Sequence, residues 1–415
     1  MVTDRTIHRV VAVNSVESEG SDAMNSRSRQ YFSRRSKELT YSDLDEMFEL
    51  ANMKEGSLRL DQGEPDFKTP SHIISAVTDA LRQGNVKYTS IEGIPELREA
   101  ISHKLAAENG IKLDPDSQIL VTVGGSEGMF LALETIIEEG DEALIPDPGY
   151  VSYERCVRFA GGKPVFYPLK HDRRFELDVE ELRRRITPRT KALIINSPGN
   201  PVGNVLTKEE LEGIARLSIE NDLIVISDEI YEKIVYDGRQ HISVASLSHM
   251  ADRTITINSF SKTYAMTGWR VGYVASKTEI VNEMKKLHAA ALVCTDWVAQ
   301  YAGLAALTGP QDCVREMVKQ YEDRRKLLVD GLNQIEALTC DMPEGAFYAF
   351  PAFGHKGVSS REFAHRLLRE ENVAISPGVG FGERGEGHVR ISLTASPETA
   401  AEAILRIRHL AQTAY

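Results

Sequence analysis

The sequence predicts an α/β protein of two domains. The larger domain has a roughly seven-stranded, mostly parallel sheet flanked by helices, and the smaller is α+β. Three observations support this prediction. Short runs of Val, Ile and Leu recur without polar alternation, which is typical of strands buried on both faces. Helical patterns with clear start signals separate these runs. A chain of 415 residues is also long for a single hydrophobic core.

Seven apolar runs are the predicted strands of the large domain. They are Ile119–Val123, Ala143–Pro146, Val165–Pro168, Ala192–Asn196, Leu223–Ser227, Thr254–Asn258 and Val271–Ala275. Because helical patterns alternate with these runs along the chain, most of the strands should lie parallel to one another.

The predicted helices begin at residues that suit a helix N-terminus. Thr207 and Glu210 have the spacing of a capping box. Thr69 has the character of an N-cap, and the proline after it suits the first helical position. The other start signals are Pro95, Ser359 with Glu362, and Ser396 with Pro397. A long helical region, 277–334, follows the last predicted strand of the large domain.

Turn-rich segments suggest where the domains divide. Residues 1–35 are polar and have little periodic hydrophobicity, so we expect a flexible N-terminal arm. Gly and Pro residues interrupt the pattern near 61–70 and again near 310. The small domain is therefore predicted to contain 36–70 plus 310–415, and the large domain 71–309.

Composition excludes several classes of function. The formal net charge of -12 argues against nonspecific binding to nucleic acid or to anionic membranes. No apolar run approaches the length of a transmembrane helix. The four cysteines have neither Cys-x-x-Cys nor disulfide-framework spacing, which indicates reduced thiols and a cytoplasmic protein. The histidines form no ligand-like cluster, so we expect no metal site.

Polar residues follow several of the predicted strands directly, at the sheet edge where α/β proteins bind ligands. Gly125 and Ser126 follow the first run and precede a helix whose N-terminus could hold an anion. Asn200 lies in a rigid Gly-Asn-Pro turn after the fourth run, and Asp228 and Tyr231 follow the fifth. Taken singly, glycine-rich turns and Asn-Pro turns are often purely structural. Asp228 is different, because a carboxylate at the end of a buried strand requires a cationic partner. The next residue, a glutamate, should face the opposite side.

Lys262 follows the sixth run, among small hydroxyl residues and close to a second cation, Arg270. A lysine at a strand end is often a surface residue, and this segment could be a charged loop. A neighbouring cation disfavours the ammonium form, which makes an amine nucleophilic near neutral pH. Ser259 and Arg270 could also hold a phosphate. The residues at all the strand ends together suit one ligand, a phosphorylated, cationic aromatic aldehyde, and this description fits pyridoxal phosphate.

The chain resembles the class I and II aminotransferases of the fold-type I pyridoxal-phosphate family. The segment Ser259-Phe-Ser-Lys262-x-x-Ala265-Met266-x-Gly268-x-Arg270-Val271-Gly272 fits the lysine motif of that family at every constrained position. The resemblance covers the chain beyond about residue 35. Its other segments are Gly63-Glu-Pro-Asp-Phe67, Tyr88 with Gly93 and Leu97-Arg98, Gly124-Gly125-Ser126, Pro146-x-Pro148-x-Tyr150, Asn196-Ser-Pro-Gly-Asn200-Pro-x-Gly203, Asp228-Glu-x-Tyr231, Pro343-x-Gly-Ala-Phe-Tyr348 and Val389-Arg390-Ile-Ser392.

The resemblance implies a role for each site residue. Lys262 would bond covalently to the cofactor and move the substrate proton, and Asp228 would hold the ring nitrogen. The other implied cofactor contacts are Asn200 and Tyr231 at the ring oxygen, Tyr150 on the ring face, and Gly125, Ser126, Ser259 and Arg270 at the phosphate. Arg390 would bind the substrate α-carboxylate, aided by Gly63 and Asn200. Tyr88 would reach the phosphate of a neighbouring subunit, which implies a homodimer with shared active sites.

The resemblance also implies an activity: transfer of an amino group between an L-amino acid and a 2-oxo acid by a ping-pong mechanism, of the aspartate or aromatic type. A carbon–sulfur β-lyase or another elimination enzyme of the same fold would use the same cofactor residues and stays an alternative. A regulatory module without catalysis would need a DNA-binding domain, for which the acidic chain has no basic segment. Ser126 stands where some aspartate-using relatives have a lysine for the distal carboxylate, so that mode of recognition is expected to be absent.

Overall fold

A computed structural model describes residues 31–84, 86–354 and 357–413, apart from the side chains of three residues (38, 173 and 413). The chain divides into two compact units, Met1–Thr40 and Tyr41–Tyr415. In the first unit, the described residues contain one short helix, α1 (Arg34–Glu38), whose first turn is capped by the Ser33 hydroxyl. Most of the predicted N-terminal arm, 1–35, lies outside the described residues. The other domain boundaries stay predictions.

The second unit contains the helices and strands that build the site. Its helices are α2 (Asp43–Met53), α3 (Ser71–Arg82), α4 (Pro95–Lys104), α5 (Gly124–Ile136), α6 (Ser152–Phe159), α7 (Val179–Arg183), α8 (Lys208–Glu220), α9 (Phe260–Thr263), α10 (Thr278–Leu292), α11 (Trp297–Thr308), α12 (Asp312–Leu332), α13 (Ser360–Glu371) and α14 (Pro397–Thr413). Its strands are β1 (Leu58–Arg59), β2 (Ile119–Thr122), β3 (Glu142–Asp147), β4 (Lys163–Pro168), β5 (Thr190–Asn196), β6 (Ile224–Asp228), β7 (Thr254–Ser259), β8 (Gly272–Ala275), β9 (Leu338–Thr339), β10 (Tyr348–Ala349), β11 (Ala352–Phe353), β12 (Val373–Ala374), β13 (Ser376–Pro377) and β14 (Val389–Ser392).

The central sheet has seven strands in the order β2-β8-β7-β6-β5-β3-β4, which confirms the predicted fold class. Strands β3 to β7 are joined by parallel pairings, and β8 is antiparallel to both of its neighbours. The register places Asn196 opposite Asp228, and Asp228 opposite Ile257. The carboxyl ends of β5, β6 and β7 therefore meet at one edge, where the polar residues after them come together.

Burial on both faces explains why these strands have unbroken apolar sequences. Leu193, Ile194 and Ile195 in β5 are each at most 1% exposed. Ile194 packs in a core cluster with α5 and α10, whereas its two neighbours pack in the cluster that includes α8. A strand with apolar contacts on each side cannot alternate with polar residues, as predicted.

Smaller sheets are formed by β1 and by the strands from β9 to β14, and one of them positions Arg390. Strand β14 pairs antiparallel with both β10 and β13. In this register Arg390 stands opposite Ser376, and Tyr348 stands opposite Ser392. The core beside these strands contains Phe347 and also Tyr231, from just beyond β6, with ring centroids 5.3 Å apart. Arg390 is thus placed by a rigid, buried framework.

Most predicted helix starts are confirmed, with two differences. The capping box of Thr207 and Glu210 is present, and the Ser359 hydroxyl caps α13. Thr69, however, does not cap α3. Its hydroxyl donates to the Ala265 carbonyl at 2.9 Å and accepts from Trp269 Nε1 at 3.0 Å. The glycine-rich turn before α5 is itself the first helical turn, since that helix begins at residue 124.

Helix lengths and cysteine contacts can be compared with the predictions from composition. No helix in the described part of the chain is long and apolar enough to cross a membrane. The four cysteines are free, as predicted from their spacing.

Candidate active site

The predicted site residues converge on one cleft of about 350 Å³ at the carboxyl edge of the central sheet. Those that line it are Gly63, Gly125, Ser126, Tyr150, Asn200, Asp228, Tyr231, Ser259, Lys262, Arg270 and Arg390. The exception is Tyr88, whose side chain is 85% exposed and lies in a separate surface depression with Trp297.

Lys262 lies in the short helix α9, directly after β7, and is half-buried. Its Nζ donates a hydrogen bond to the Gly63 carbonyl oxygen, and within the described residues it forms no ion pair with a carboxylate. Burial, and next the charge of Arg390, lower the pKa of Lys262 from its ordinary value to about 8. Arg270 also lowers this pKa, but less than Arg390 does. The amine is therefore activated, as the neighbouring cation in the sequence predicts.

Asp228 ends β6 and is buried. Its Oδ2 accepts a hydrogen bond from the Tyr153 hydroxyl at 2.6 Å, and its Oδ1 accepts a long one, 3.3 Å, from the Ile230 N–H. Burial raises the pKa of Asp228 to about 6, although the Tyr153 hydrogen bond acts in the opposite direction. No cationic side chain in the described residues pairs with this carboxylate. It is therefore suited to a cation supplied by a ligand.

Glu229 faces away from the cleft, as alternation along the strand predicts. Its carboxylate accepts hydrogen bonds from Ser227 at 2.8 Å and Ser243 at 2.6 Å, and lies 3.0 Å from His241 Nε2. Glu232 is nearby and binds the Lys104 ammonium. The two glutamates and His241 are close enough to hold a metal ion. Because the lysine and hydroxyl donors already satisfy both carboxylates, we interpret this cluster as structural.

Gly125 and Ser126 lie in the first turn of α5, where backbone N–H groups have no partner within the helix. The preceding residue, Gly124, has φ +75°, and a Cβ there would lie 2.8 Å from Nη2 of Arg270. Arg270 itself has a left-handed φ of 54° and packs against this helix start. Close packing of a guanidinium on a helix N-terminus forms a cradle for a dianion such as a phosphate. Ser259, at the end of β7, lines the same part of the cleft.

Arg390 is 6% exposed and has no carboxylate partner among the described residues. Its guanidinium donates to the Asp61 carbonyl at 2.7 Å, to Asn200 Oδ1 at 3.2 Å and to Ser376 Oγ at 3.2 Å. It stacks on Tyr348, with Cζ 4.4 Å from the ring centroid, and its Nε is buried without a hydrogen-bond partner in the described part of the chain. A buried cation that meets only neutral groups is a strong anion site.

The remaining cleft residues give it shape and aromatic surface. Tyr150 contacts Tyr153 edge-to-face, with ring centroids 5.7 Å apart. The hydroxyls of Tyr231 and Tyr348 are joined by a 2.8 Å hydrogen bond. Asn200 is held in its turn by a hydrogen bond from its N–H to Asn196 Oδ1, at 2.8 Å.

Sequence reasoning missed several contributors to the site. Tyr153 lies one helical turn beyond Tyr150, and this spacing could have indicated that both face the cleft. Tyr348 belongs to a segment that the family resemblance covers, but the hydrogen bond between its hydroxyl and that of Tyr231 was not predicted. Asp61 acts through its backbone carbonyl, for which sequence offers no signal.

The unpartnered groups fit pyridoxal phosphate. Asp228 is a buried carboxyl without a cationic partner among the described residues, Lys262 is an activated amine, and the start of α5 with Arg270 suits a phosphate. Each charged part of that cofactor therefore has a matching group in this chain.

Comparisons with known proteins agree with this chemistry. The family model "Aminotransferase class I and II" matches residues 55–407. The chain is 45% identical over 368 residues to an aspartate aminotransferase of Pyrococcus abyssi, a match that covers 88% of this chain and 94% of that protein. It is 44% identical over 368 residues to aromatic-amino-acid aminotransferase 2 of Thermococcus litoralis, with the same coverage of 88% and 94%. The crystal structure of an aromatic aminotransferase from Pyrococcus horikoshii superposes with a TM-score of 0.84 at 44% identity, covering 88% of this chain and 98% of that one. The chain belongs to the class I and II aminotransferase family, and it is an aminotransferase.

Proposed function

We propose that this chain is a pyridoxal-phosphate-dependent amino-acid aminotransferase that moves an amino group between an L-amino acid and a 2-oxo acid in two half-reactions. The main support for this proposal is that one cleft contains both an activated lysine, Lys262, and a buried arginine without an anionic partner in the described residues, Arg390. A transaminase needs both groups: an amine to react with the cofactor and a cation to hold the substrate carboxylate.

The positions of the side chains in the cleft support a proposed contact for each part of the cofactor. Asp228 would hold the ring nitrogen and Lys262 the reactive carbon. The other proposed contacts are Asn200 and Tyr231 at the ring oxygen, Tyr150 at the ring face, and Gly125, Ser126, Ser259 and Arg270 at the phosphate. When bound, pyridoxal phosphate supplies an aldehyde carbon and an electron-withdrawing ring, which together allow an amino group to be carried between two substrates.

The chain's own residues then bind the substrate and move its proton. Arg390 binds the α-carboxylate. Asn200 contacts Arg390, and the Gly63 carbonyl contacts Lys262. Lys262 Nζ, in its neutral form, would take the proton from the substrate Cα and deliver it to the reactive carbon of the cofactor. Asp228 must stay ionised in order to balance a ring cation, and the Tyr153 hydrogen bond favours that form.

We propose substrates of the aspartate or aromatic type, because relatives with those names match most of the chain. Turnover should require both an amino acid and a 2-oxo acid. The test is to mix the cofactor-loaded protein with each amino acid of a panel, with and without added 2-oxoglutarate, and to measure product formation. Steady release of pyruvate and ammonia without an oxo acid would instead indicate the β-lyase alternative.

The proposal includes a cytoplasmic homodimer in which Tyr88 reaches the phosphate site of the neighbouring subunit. The free cysteines and the exposure of Tyr88 away from its own cleft support this arrangement. Sedimentation of the wild type tests the dimer, and a monomer with full activity would contradict it.

The lowered pKa of Lys262 leads to a pH-dependent prediction. With a pKa of about 8, roughly a tenth of the lysine is neutral at pH 7, far more than for an ordinary lysine. The rate of covalent cofactor attachment to cofactor-free protein should therefore rise about tenfold per pH unit below pH 8 and level off above it. Stopped-flow absorbance from pH 6 to 10 measures this rate.

The same experiment has an internal control. After burial, the charge of Arg390 lowers the pKa of Lys262 most. Arg390→Gln removes that charge and should raise this pKa, so the attachment rate should level off at higher pH than in the wild type. Arg158→Gln removes an exposed arginine paired with Glu154 and should leave the profile unchanged. A wild-type rate that still climbs tenfold per unit above pH 9 would contradict the lowered pKa.

A further prediction concerns the hydroxyl of Tyr153. Tyr153→Phe removes the donor that favours ionised Asp228, so the pKa of that carboxyl should rise above its present value of about 6. Turnover should fall roughly tenfold at pH 7 and less at pH 8.5, because a hydrogen bond to a charged group contributes about 1.5–3 kcal/mol. The pH dependence of kcat measures the shift.

Tyr167→Phe is the matched control. Tyr167 is also a buried tyrosine, but its hydroxyl donates to the Ile194 carbonyl and does not contact Asp228. Its pH profile should match that of the wild type. Equal changes in both variants would mean that a general loss of stability, and not the Asp228 contact, is responsible.

A further inference from the structure

The cleft contains one basic side chain to which the proposed function gives no role. Among the described residues, the basic side chains that line the cleft are Arg155, Lys262, Arg270 and Arg390. Lys262 and Arg270 are assigned to the cofactor, and Arg390 is assigned to the substrate α-carboxylate. Arg155 has no assigned ligand.

Arg155 is brought to the cleft by helix α6. This helix also carries Tyr153, whose hydroxyl binds Asp228, and both Tyr153 and Arg155 line the cleft. The Arg155 side chain is 30% exposed and forms an ion pair with Asp45 in α2, which also lines the cleft. Leu44 and Phe48 of α2 line the same cleft.

The ion pair can be exchanged at little cost. Asp45 completes a capping box at the start of α2, and its Oδ2 accepts hydrogen bonds from the Ser42 N–H at 2.8 Å and the Ser42 hydroxyl at 2.9 Å. It therefore keeps two partners if the guanidinium turns away. Its side chain is 39% exposed, and ion pairs between such partly exposed groups contribute little to stability.

We propose that Arg155 binds the distal carboxylate of dicarboxylic amino acids and 2-oxo acids. This inference rests on the proposed function, in which Arg390 binds the α-carboxylate. The substrate carboxylate would replace that of Asp45 on the guanidinium, whose planar donors suit a carboxylate. Ser126, which also lines the cleft, is uncharged and offers no competing cation. Leu44 and Phe48 would pack against the substrate methylene groups, so an uncharged side chain could use the same space.

The test uses the full-length, cofactor-loaded enzyme and compares Arg155→Gln with Arg158→Gln. Arg158 lies on the same helix, pairs with Glu154 and is 49% exposed, so it matches Arg155 in type and location without lining the cleft. The quantity measured is the ratio of kcat/KM for aspartate and glutamate to kcat/KM for alanine and phenylalanine. The ratio should fall about 10- to 100-fold in Arg155→Gln and stay at the wild-type value in Arg158→Gln, as expected for loss of a charge-assisted pair.

Binding of unreactive acids gives a readout independent of turnover. Isothermal titration should show that the wild type binds succinate more tightly than butyrate, and that Arg155→Gln loses this preference. Arg155→Lys should recover part of it. A wild type without the preference, or an Arg155→Gln variant that keeps it, overturns the inference. A wild type that binds succinate selectively but transaminates nothing would overturn the proposed function instead.

Asp45→Asn separates the arginine from the ion pair. If Arg155 is the binding group, this variant keeps its preference for succinate, because the guanidinium loses only a competitor. If the Asp45–Arg155 pair acts merely as a structural contact, Asp45→Asn and Arg155→Gln weaken all substrates equally. That outcome overturns the inference.

Discussion

Replacing Lys262 by alanine should abolish transamination and leave the fold intact. The variant lacks both the amine that bonds to the cofactor and the base that moves the substrate proton, so turnover should fall by at least roughly 10⁴-fold. Initial rates with an amino acid and a 2-oxo acid measure the loss, and the visible absorbance of the attached cofactor should disappear. Lys208→Ala, at an exposed position in α8, is the control and should behave like the wild type. Steady turnover by Lys262→Ala would remove the basis of the proposed mechanism.

The fold should survive because the lysine ammonium does not stabilise the native state. The native pKa of Lys262, about 8, lies below its unfolded value, so the native state binds its proton more weakly than the unfolded state does. The wild type therefore loses stability as pH falls from the unfolded pKa through pH 8, and the alanine variant does not. Thermal melting at pH 7 should show a Tm for the variant that is at least equal to that of the wild type.

Replacing Arg390 by glutamine should weaken substrate binding severely. The guanidinium is buried, is held by three neutral acceptors and has no carboxylate partner in the described residues, so the substrate is its natural anion. Two charge-assisted hydrogen bonds of about 1.5–3 kcal/mol each correspond to a loss of roughly 10²- to 10⁴-fold in kcat/KM. Most of this loss should appear in KM, which half-reaction kinetics with increasing amino acid can resolve.

Arg325 provides the contrasting control. It is 1% exposed, but it is paired with Asp237 and lies outside the cleft. Arg325→Gln should lower the Tm because it removes a satisfied pair, and should leave KM near the wild-type value. If Arg390→Gln lowered the Tm without changing KM, Arg390 would be a structural residue and our assignment of it would be wrong.

The central sheet was predictable because burial on both faces restricts the residues of each strand to apolar types. The residues of β5 must be apolar on both faces, and so the run is visible without any knowledge of its neighbours. Asp228 was also predictable, since a carboxylate at the end of a buried strand requires a cationic partner. Lys262 and Arg390 were assigned to the site through the family resemblance, because a lysine at a strand end is often an ordinary surface residue. Helix starts were predictable where the cap is local, as at Thr207.

Features that depend on distant partners could not be read from the sequence. The hydroxyl of Thr69 suits an N-cap, but it is used by a turn almost 200 residues away. Arg390 lowers the pKa of Lys262 more than Arg270 does, although Arg270 is much nearer in the sequence. The fold, and not the separation along the chain, decides which charges act on the lysine. Tyr153 and Arg155 look like ordinary helix residues until α6 is packed beside the sheet.

The hydrogen bonds of Glu229 fix the end of β6 from the face opposite the cleft. Two serines and His241 bind that carboxylate, so the backbone that carries Asp228 is anchored before any ligand arrives. Little conformational entropy is then lost when the cofactor binds, and more of the contact energy appears as affinity. Because of this preorganisation, residues outside the cleft also contribute to function. Substitutions at Ser243 or His241, remote from every reacting atom, would impair the enzyme by loosening the aspartate that faces the other way.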